Sequence, residues 1–85
     1  MKRIVEEVVG EGLEKLLGKR VTLFCANYIY TGDLIGINDD CILLKNAGIV
    51  YETGEFTNSI WKDCQPLPND WYVMRGAIES YGVMK

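Results

Sequence analysis

Few residues in this sequence could do chemistry, and an Arg-Gly pair near its end is the most distinctive feature. Arg75 and Gly76 interrupt the apolar stretch YVMRGAI, which would otherwise continue as a strand. An arginine here can pair with a carboxylate, or its planar guanidinium can stack on a base. Gly76 lets the backbone turn tightly beside it. The pair therefore indicates either a structural turn or a binding site.

The second polar feature is the turn sequence Asn38-Asp39-Asp40-Cys41. Its cysteine is one of three in a chain without histidine; the others are Cys25 and Cys64. A catalytic cysteine needs a base, and zinc sites need closely spaced Cys or His ligands. The sequence also has no phosphate-binding loop. We therefore predict a protein that is not an enzyme and has no metal or cofactor, with the cysteines as small buried hydrophobic residues.

The size of the chain favours one domain that gains stability by self-association. It has 85 residues and a net charge of −3. A chain shorter than about 100 residues rarely divides into domains, and one this small buries a marginal core. Disulfides are not expected from three widely spaced cysteines, and no apolar run is long enough to span a membrane. We expect a cytoplasmic single domain over residues 1–85, with no membrane association.

The elements that must position Arg75 and the Asn38 turn begin with a predicted helix. Over residues 1–18, apolar residues recur at helical spacing and acidic residues occupy the other face. Gly18 is a natural end for this helix. The apolar positions are Ile4, Val5, Val8, Val9, Leu13, Leu16 and Leu17.

From Lys19 onward the apolar period changes to two, which is typical of strands. We predict five strands, at 20–25, 28–37, 41–52, 71–75 and 77–83, with a very tight connection at Gly76. Residues 53–70 are a variable loop or hairpin whose prolines, Pro66 and Pro68, exclude a central strand. The predicted fold is mostly β: a helix followed by a strongly bent five-stranded antiparallel sheet, forming a small open barrel.

This order of motifs resembles the Sm-like family, which includes the Sm, LSm and Hfq proteins. A first Sm motif is similar to residues 19–52, where Tyr30-x-Gly32-x-Leu34-x-Gly36 is followed by a polar turn and Ile42-x-Leu44. A second Sm motif is similar to residues 71–85, where the apolar Val73-Met74 precedes Arg75-Gly76 and Ile78.

The resemblance implies an Sm-like fold and a homo-oligomeric ring of about five to seven subunits. In such rings the fourth strand of one subunit pairs with the fifth strand of its neighbour. It also implies that single-stranded RNA binds near the central pore, at the polar turn and the Arg-Gly pair, without being chemically changed. The implied RNA-binding residues of this chain are Asn38, Asp40, Cys41, Arg75 and Gly76.

The polar turn differs from the family pattern, Asp-x-x-hydrophobic-Asn, because it is one residue shorter. Asn38 stands at the Asp position and Cys41 near the base-reading Asn. Asp39 and Asp40, repeated around a ring, would repel phosphates. Arg75 then has two interpretations: it forms a structural pair with an acidic residue such as Asp39 or Asp40 across the turn, or it stacks on a base.

The alternative function is an Sm-like ring that serves as an assembly or protein-interaction module with little RNA affinity. Residues 53–70, with Phe56, Ile60 and Trp61, could extend a hairpin or form an apolar patch for a protein partner. For six aromatic residues we favour barrel or interface packing over base stacking. They are Tyr28, Tyr30, Tyr51, Trp61, Trp71 and Tyr72.

Overall fold

A computed structural model describes Val5 and residues 12–85 of the chain. A 3-10 turn over Leu13–Leu16 comes first, and a second one, Arg75–Ala77, links the last two strands. The six strands are β1 (Arg20–Cys25), β2 (Ile29–Ile37), β3 (Cys41–Glu52), β4 (Asp63–Pro66), β5 (Trp71–Met74) and β6 (Ile78–Gly82).

The strands form one antiparallel sheet in the order β4-β3-β2-β1-β6. The long strand β3 pairs with β2 on one edge and is shared by two partners on the other. Its first half, Cys41 to Leu44, pairs with β5, and its second half, Gly48 to Glu52, pairs with β4. β5 and β6 do not pair with each other, so the sheet is not closed into a barrel.

The pairing of β2 with β3 contains a bulge in the middle of the sheet. The register shifts between Thr31 and Asp33, opposite Asn46, which has a left-handed φ of 52°. A bulge bends its strand and increases the local twist. Gly32 lies at this point because a Cβ there would come within 3.0 Å of the Leu44 Cβ and 3.2 Å of the Ala47 Cα.

The core lies against one face of the sheet, which we call the inner face. Alternate residues of neighbouring strands meet there because side chains along a strand point to opposite faces. Leu23, Leu34, Ile42 and Leu44 are fully buried, and Val73 adds the contribution of β5.

The opposite, outer face is covered in part by the β3–β4 connection and by the end of the chain. The Phe56 ring packs edge to face on Phe24 at 6.3 Å between centroids. The Lys85 carbonyl oxygen accepts hydrogen bonds from Thr31 Oγ1 at 3.0 Å and Trp61 Nε1 at 3.1 Å. The Lys85 ammonium lies 4.5 Å from the centre of the Trp61 ring. Residues 53–62 and Lys85 therefore form a second layer on β1 and β2.

The prediction of a mostly antiparallel β-sheet is confirmed, and its strand boundaries hold to within one residue. One detail was wrong. The sheet has six strands rather than five, because residues 63–66 of the predicted loop or hairpin form β4 at the edge of the sheet. As an edge strand, β4 accommodates Pro66 at its end.

The predicted N-terminal helix is not supported. Residues 1–4 and 6–11 of it lie outside the described residues. Where the structure describes the segment, Leu13–Leu16 form a single 3-10 turn between Gly12 and Gly18, which have φ values of 79° and 85°. These left-handed glycines bound the turn and limit its length. Across Val5 and residues 12–85, no helix is long and apolar enough to cross a membrane.

Candidate functional site

The Asn38 turn and the Arg75 turn, far apart in sequence, meet at one end of the sheet. β3 leaves the Asn38 turn beside β5, because Cys41 pairs with Met74. The Arg75 amide donates to the Asp40 carbonyl oxygen at 2.8 Å, and Arg75 Nη1 donates to the Asn38 carbonyl oxygen at 3.0 Å. The structure thus brings Asn38, Asp40, Cys41 and Arg75 together. We call this set the Asn38–Arg75 site.

Asn38 shapes the turn with its own side chain. Its Oδ1 accepts hydrogen bonds from the backbone N–H groups of Asp40 and Cys41, both at 2.8 Å. Its backbone N–H donates to the Cys41 carbonyl oxygen at 3.0 Å. Asparagine favours such turns because its side chain imitates a backbone carbonyl. The amide oxygen is thus used within the turn, and the amide nitrogen is the group left to contact a ligand.

The acidic partner of Arg75 is Glu14, which the sequence interpretation did not select. Arg75 Nη2 lies 3.3 Å from Glu14 Oε1. The structural interpretation expected an acidic partner such as Asp39 or Asp40; the acidic partner is Glu14 instead, and Asp40 contacts Arg75 through its backbone carbonyl. Glu14 belongs to the first 3-10 turn, and only the tertiary fold brings that turn to β5 and β6. No sequence signal could have identified this pair.

An open cavity of about 170 Å³ adjoins the Asn38–Arg75 site on the outer face. Its lining is mainly apolar, and the Asn38 and Tyr72 side chains provide its polar groups. The side chain of Tyr72 is 66% exposed. The lining residues are Gly36, Ile37, Asn38, Cys41, Leu43 and Tyr72. Tyr72 was predicted to pack rather than to bind. Strand alternation from Met74, the partner of Cys41, would have placed it on the same face.

Gly76 lies in the 3-10 turn Arg75–Ala77, which is the tight connection the sequence predicted. Its φ is not in the left-handed region, and no described atom lies within 4 Å of the position a Cβ would take. Neither the backbone conformation nor the packing of the described chain requires glycine here. The local geometry of the described chain therefore does not support the prediction that this turn needs a glycine.

The charge around the site is mostly negative. Glu14 pairs with the guanidinium of Arg75, and Asp39 and Asp40 belong to the turn that Arg75 contacts through the Asn38 and Asp40 carbonyl oxygens. Such a set attracts phosphate groups weakly, because carboxylates repel them. The arrangement suits contacts to a planar or uncharged group better than contacts to a phosphate backbone.

The part of the chain that the structure describes has no evident metal-binding site. No group of three Cys, Asp or Glu residues is placed there to hold an ion. The three cysteines are free thiols and are half-buried rather than buried, which corrects the prediction. Burial raises the pKa of the Cys25 thiol, with Glu79 adding to the effect, and burial also raises the pKa of the Cys64 thiol.

The strands on either side of Arg75 differ from the central strands in their edges and in their exposed side chains. Among residues 12–85, β5 pairs with β3 alone and β6 pairs with β1 alone, so each keeps one edge without a strand partner. Large apolar side chains are exposed along them and just beyond. They are Trp71, Tyr72, Met74, Tyr81, Val83 and Met84.

Comparison of the chain with protein-family models, with curated proteins and with solved structures finds no match in any of the three.

Proposed function

We propose that this chain is an Sm-like subunit that assembles into a homo-oligomeric ring, in which β5 of one copy pairs with β6 of the next. The observation that carries the proposal is the pair of open strand edges on either side of the Arg75–Ala77 turn. An unpaired edge exposes a row of N–H and C=O groups that another strand can satisfy. Because two different edges meet, the contact is heterologous, and a heterologous contact gives a ring when the rotation between successive copies closes.

The side chains of β5 and β6 support the same proposal. Met74 is 62% exposed, and Tyr72 and Tyr81 are also exposed on these strands. Large exposed apolar side chains on strands with an open edge are typical of a protein interface. Burial of this surface between copies supplies the stabilisation that an 85-residue domain lacks by itself.

The assembly is tested by measuring molar mass with light scattering after size-exclusion chromatography. We expect the wild type to elute as a closed oligomer and the double variant Met74→Glu, Tyr81→Glu as a folded monomer. The matched control is Ile60→Glu, because Ile60 is 75% exposed and lies outside β5 and β6. The control is expected to keep the wild-type mass. A folded wild-type monomer at micromolar concentration would contradict the proposal.

The second candidate function is the binding of single-stranded RNA by the assembled ring. It is favoured by the convergence of Asn38, Cys41 and Arg75 beside the cavity that Tyr72 lines. A base can stack on a tyrosine ring or a guanidinium plane while a polar group contacts its edge. The surrounding carboxylates make weak, stacking-dominated binding the expected form.

RNA binding is tested by titrating labelled oligo-U and oligo-A at two salt concentrations. Loss of one stacking contact weakens binding by roughly tenfold, so we expect that loss for Arg75→Ala. Arg20→Ala is the control, because Arg20 likewise contacts one carboxylate and one backbone carbonyl, at Asp33 and Asn46. No binding at tens of micromolar protein would overturn this candidate and leave the assembly proposal standing.

The ion pair with Glu14 gives a second, independent variant. If Arg75 binds RNA, Glu14 competes for its guanidinium, and Glu14→Gln is expected to strengthen binding. If Arg75 is purely structural, the same substitution leaves RNA affinity unchanged. The two outcomes separate the two interpretations of Arg75.

A further inference from the structure

A second cavity, of about 180 Å³, lies at the opposite end of β2 from the Asn38–Arg75 site. It is formed where the β1–β2 turn meets the start of β6, and its walls include two tyrosine rings. The rings of Tyr28 and Tyr30 are 6.2 Å apart at their centroids and inclined at 67°. The lining residues are Cys25, Ala26, Asn27, Tyr28, Tyr30 and Ala77.

A third tyrosine lies beside this pair. Ile29 pairs with Val50 and Tyr30 pairs with Ile49, so the register places Tyr51 level with Tyr28. Side chains alternate along both strands, and Tyr28, Tyr30 and Tyr51 therefore share the inner face. Tyr28 is 49% exposed and Tyr51 is 56% exposed. Of the three, Tyr30 packs against the core, as expected for barrel packing.

The electrostatics around the three tyrosines favour a cation. Glu79 directly follows Ile78, the strand partner of Cys25, and its carboxylate contributes to the raised pKa of the Cys25 thiol. Burial raises the pKa of Tyr30, so its ring stays neutral at physiological pH. The cavity therefore combines π faces with the negative charge of one carboxylate, which acts on Cys25 in its wall.

We propose that this tyrosine-lined cavity binds the guanidinium of an arginine side chain presented by a partner protein. Cations are attracted to the faces of aromatic rings, and arginine makes such contacts more often than lysine. Inclined rings present a face and an edge to one small volume, and Glu79 supplies the complementary charge. Nucleic acid is disfavoured, because the carboxylate of Glu79 repels phosphates. The proposal requires neither ring assembly nor RNA binding, although the cavity shares Ala77 with the Arg75–Ala77 turn.

The test uses a capped Gly-Arg-Gly peptide and its neutral isostere, in which citrulline replaces arginine. Both are titrated at constant ionic strength into the isotopically labelled full chain, and binding is followed by amide chemical shifts in NMR spectra. We expect saturable shifts around Tyr28, Tyr30 and Tyr51 with the arginine peptide and none with citrulline. Equal binding of the two peptides, or shifts confined to other surfaces, would overturn the proposal.

Variants separate the aromatic contribution from a general effect on folding. Tyr28→Phe keeps the ring and is expected to keep the affinity, whereas Tyr28→Leu is expected to lose about fivefold. Phe56→Leu is the matched control, since Phe56 is an exposed aromatic residue in the β3–β4 connection and outside this cavity. Unchanged affinity in Tyr28→Leu would contradict a role for the ring, and a dispersed spectrum verifies that each variant is folded.

Discussion

Two arginines of this protein make the same kinds of contact in regions that differ in almost every other respect. Arg20 contacts Asp33 at 3.3 Å and the Asn46 carbonyl at 3.0 Å. Arg75 contacts Glu14 at 3.3 Å and the Asn38 carbonyl at 3.0 Å. Arg20 lies among the central strands β1 to β3, each of which has strand partners along both edges. Arg75 lies between β5 and β6, each of which has one open edge among the described residues.

The difference shows how one side-chain pattern serves two purposes. At Arg20 the contacts form a closed set, because Asn46 Nδ2 also donates to Asp33 at 3.0 Å and fixes the bulge. At Arg75 the contacts fix the turn that joins β5 and β6 next to a cavity, and each of these strands has one open edge among the described residues. The central strands are therefore expected to govern stability, and the last two strands to govern association and binding.

The largest expected contrast is between Leu44 and Met74, one fully buried and the other exposed. Leu44→Ala removes packed volume from the core, and we expect it to lower the free energy of unfolding by about 2–5 kcal/mol. Met74→Ala is expected to leave the folded monomer nearly unchanged and to weaken association. Denaturant unfolding at one fixed protein concentration measures both, since association itself adds stability. Equal losses from the two substitutions would contradict the division between the regions.

A smaller contrast is expected between two glycines. Gly32→Ala places a Cβ against Leu44 and Ala47, and overpacking of this kind costs about 1–3 kcal/mol. Gly76→Ala meets no described atom within 4 Å, so the unfolding free energy is expected to change little. If Gly76→Ala nevertheless weakens the oligomer or RNA binding, glycine is needed there by a neighbouring copy or a ligand. Thermal unfolding, molar mass and RNA titration separate these effects.

The smallest effect is expected at the ion pairs, and it depends on pH. The hydrogen bond from Asn46, together with Arg20, lowers the pKa of Asp33. The folded state therefore favours the carboxylate, and this stabilisation is present above the pKa of the unfolded state. It is lost as the pH falls through the lower pKa of the folded state, below about pH 4.

The test of this effect is the melting temperature of Asp33→Asn measured from neutral to acidic pH. At pH 7 the variant is expected to cost up to about 1 kcal/mol, since the ion pair is largely exposed. Its difference from the wild type should shrink on acidification. Glu14→Gln breaks the ion pair between Glu14 and Arg75 and is expected to cost less at pH 7, because Glu14 lacks a contact like that of Asn46 among those described. A larger cost for Glu14→Gln would reverse the comparison.

Much of the sheet could be predicted, because apolar alternation and turn residues are local signals. The boundaries of β1 and β3 follow directly from period-two patterns, and Asn38 marks its turn by its type. β4 was missed, because a strand of four residues beside prolines has too short a pattern to distinguish from a loop. The N-terminal pattern predicted an α-helix, but Gly12 and Gly18 outweigh helical spacing over the described part of it.

The main residues of the site could be predicted from the sequence, whereas the residues that they contact could not. Asn38 and Arg75 could be selected from the order of the motifs, whereas Glu14 and Tyr72 required the positions of other elements. The partner of a charged side chain depends on the fold, since residues distant in sequence compete for it. The same holds for the cavity of Tyr28 and Tyr30, whose third tyrosine is set by the register of β2 and β3.

The sequence by itself determined that this chain forms a β-sheet with a tight Arg-Gly connection near its end, because those features depend on neighbouring residues. The tertiary structure alone decided which edges stay open, that the end of the chain covers Thr31, and that Glu14 rather than Asp39 or Asp40 pairs with Arg75. These outcomes depend on strand order and register, which arise from packing between residues that are far apart in sequence.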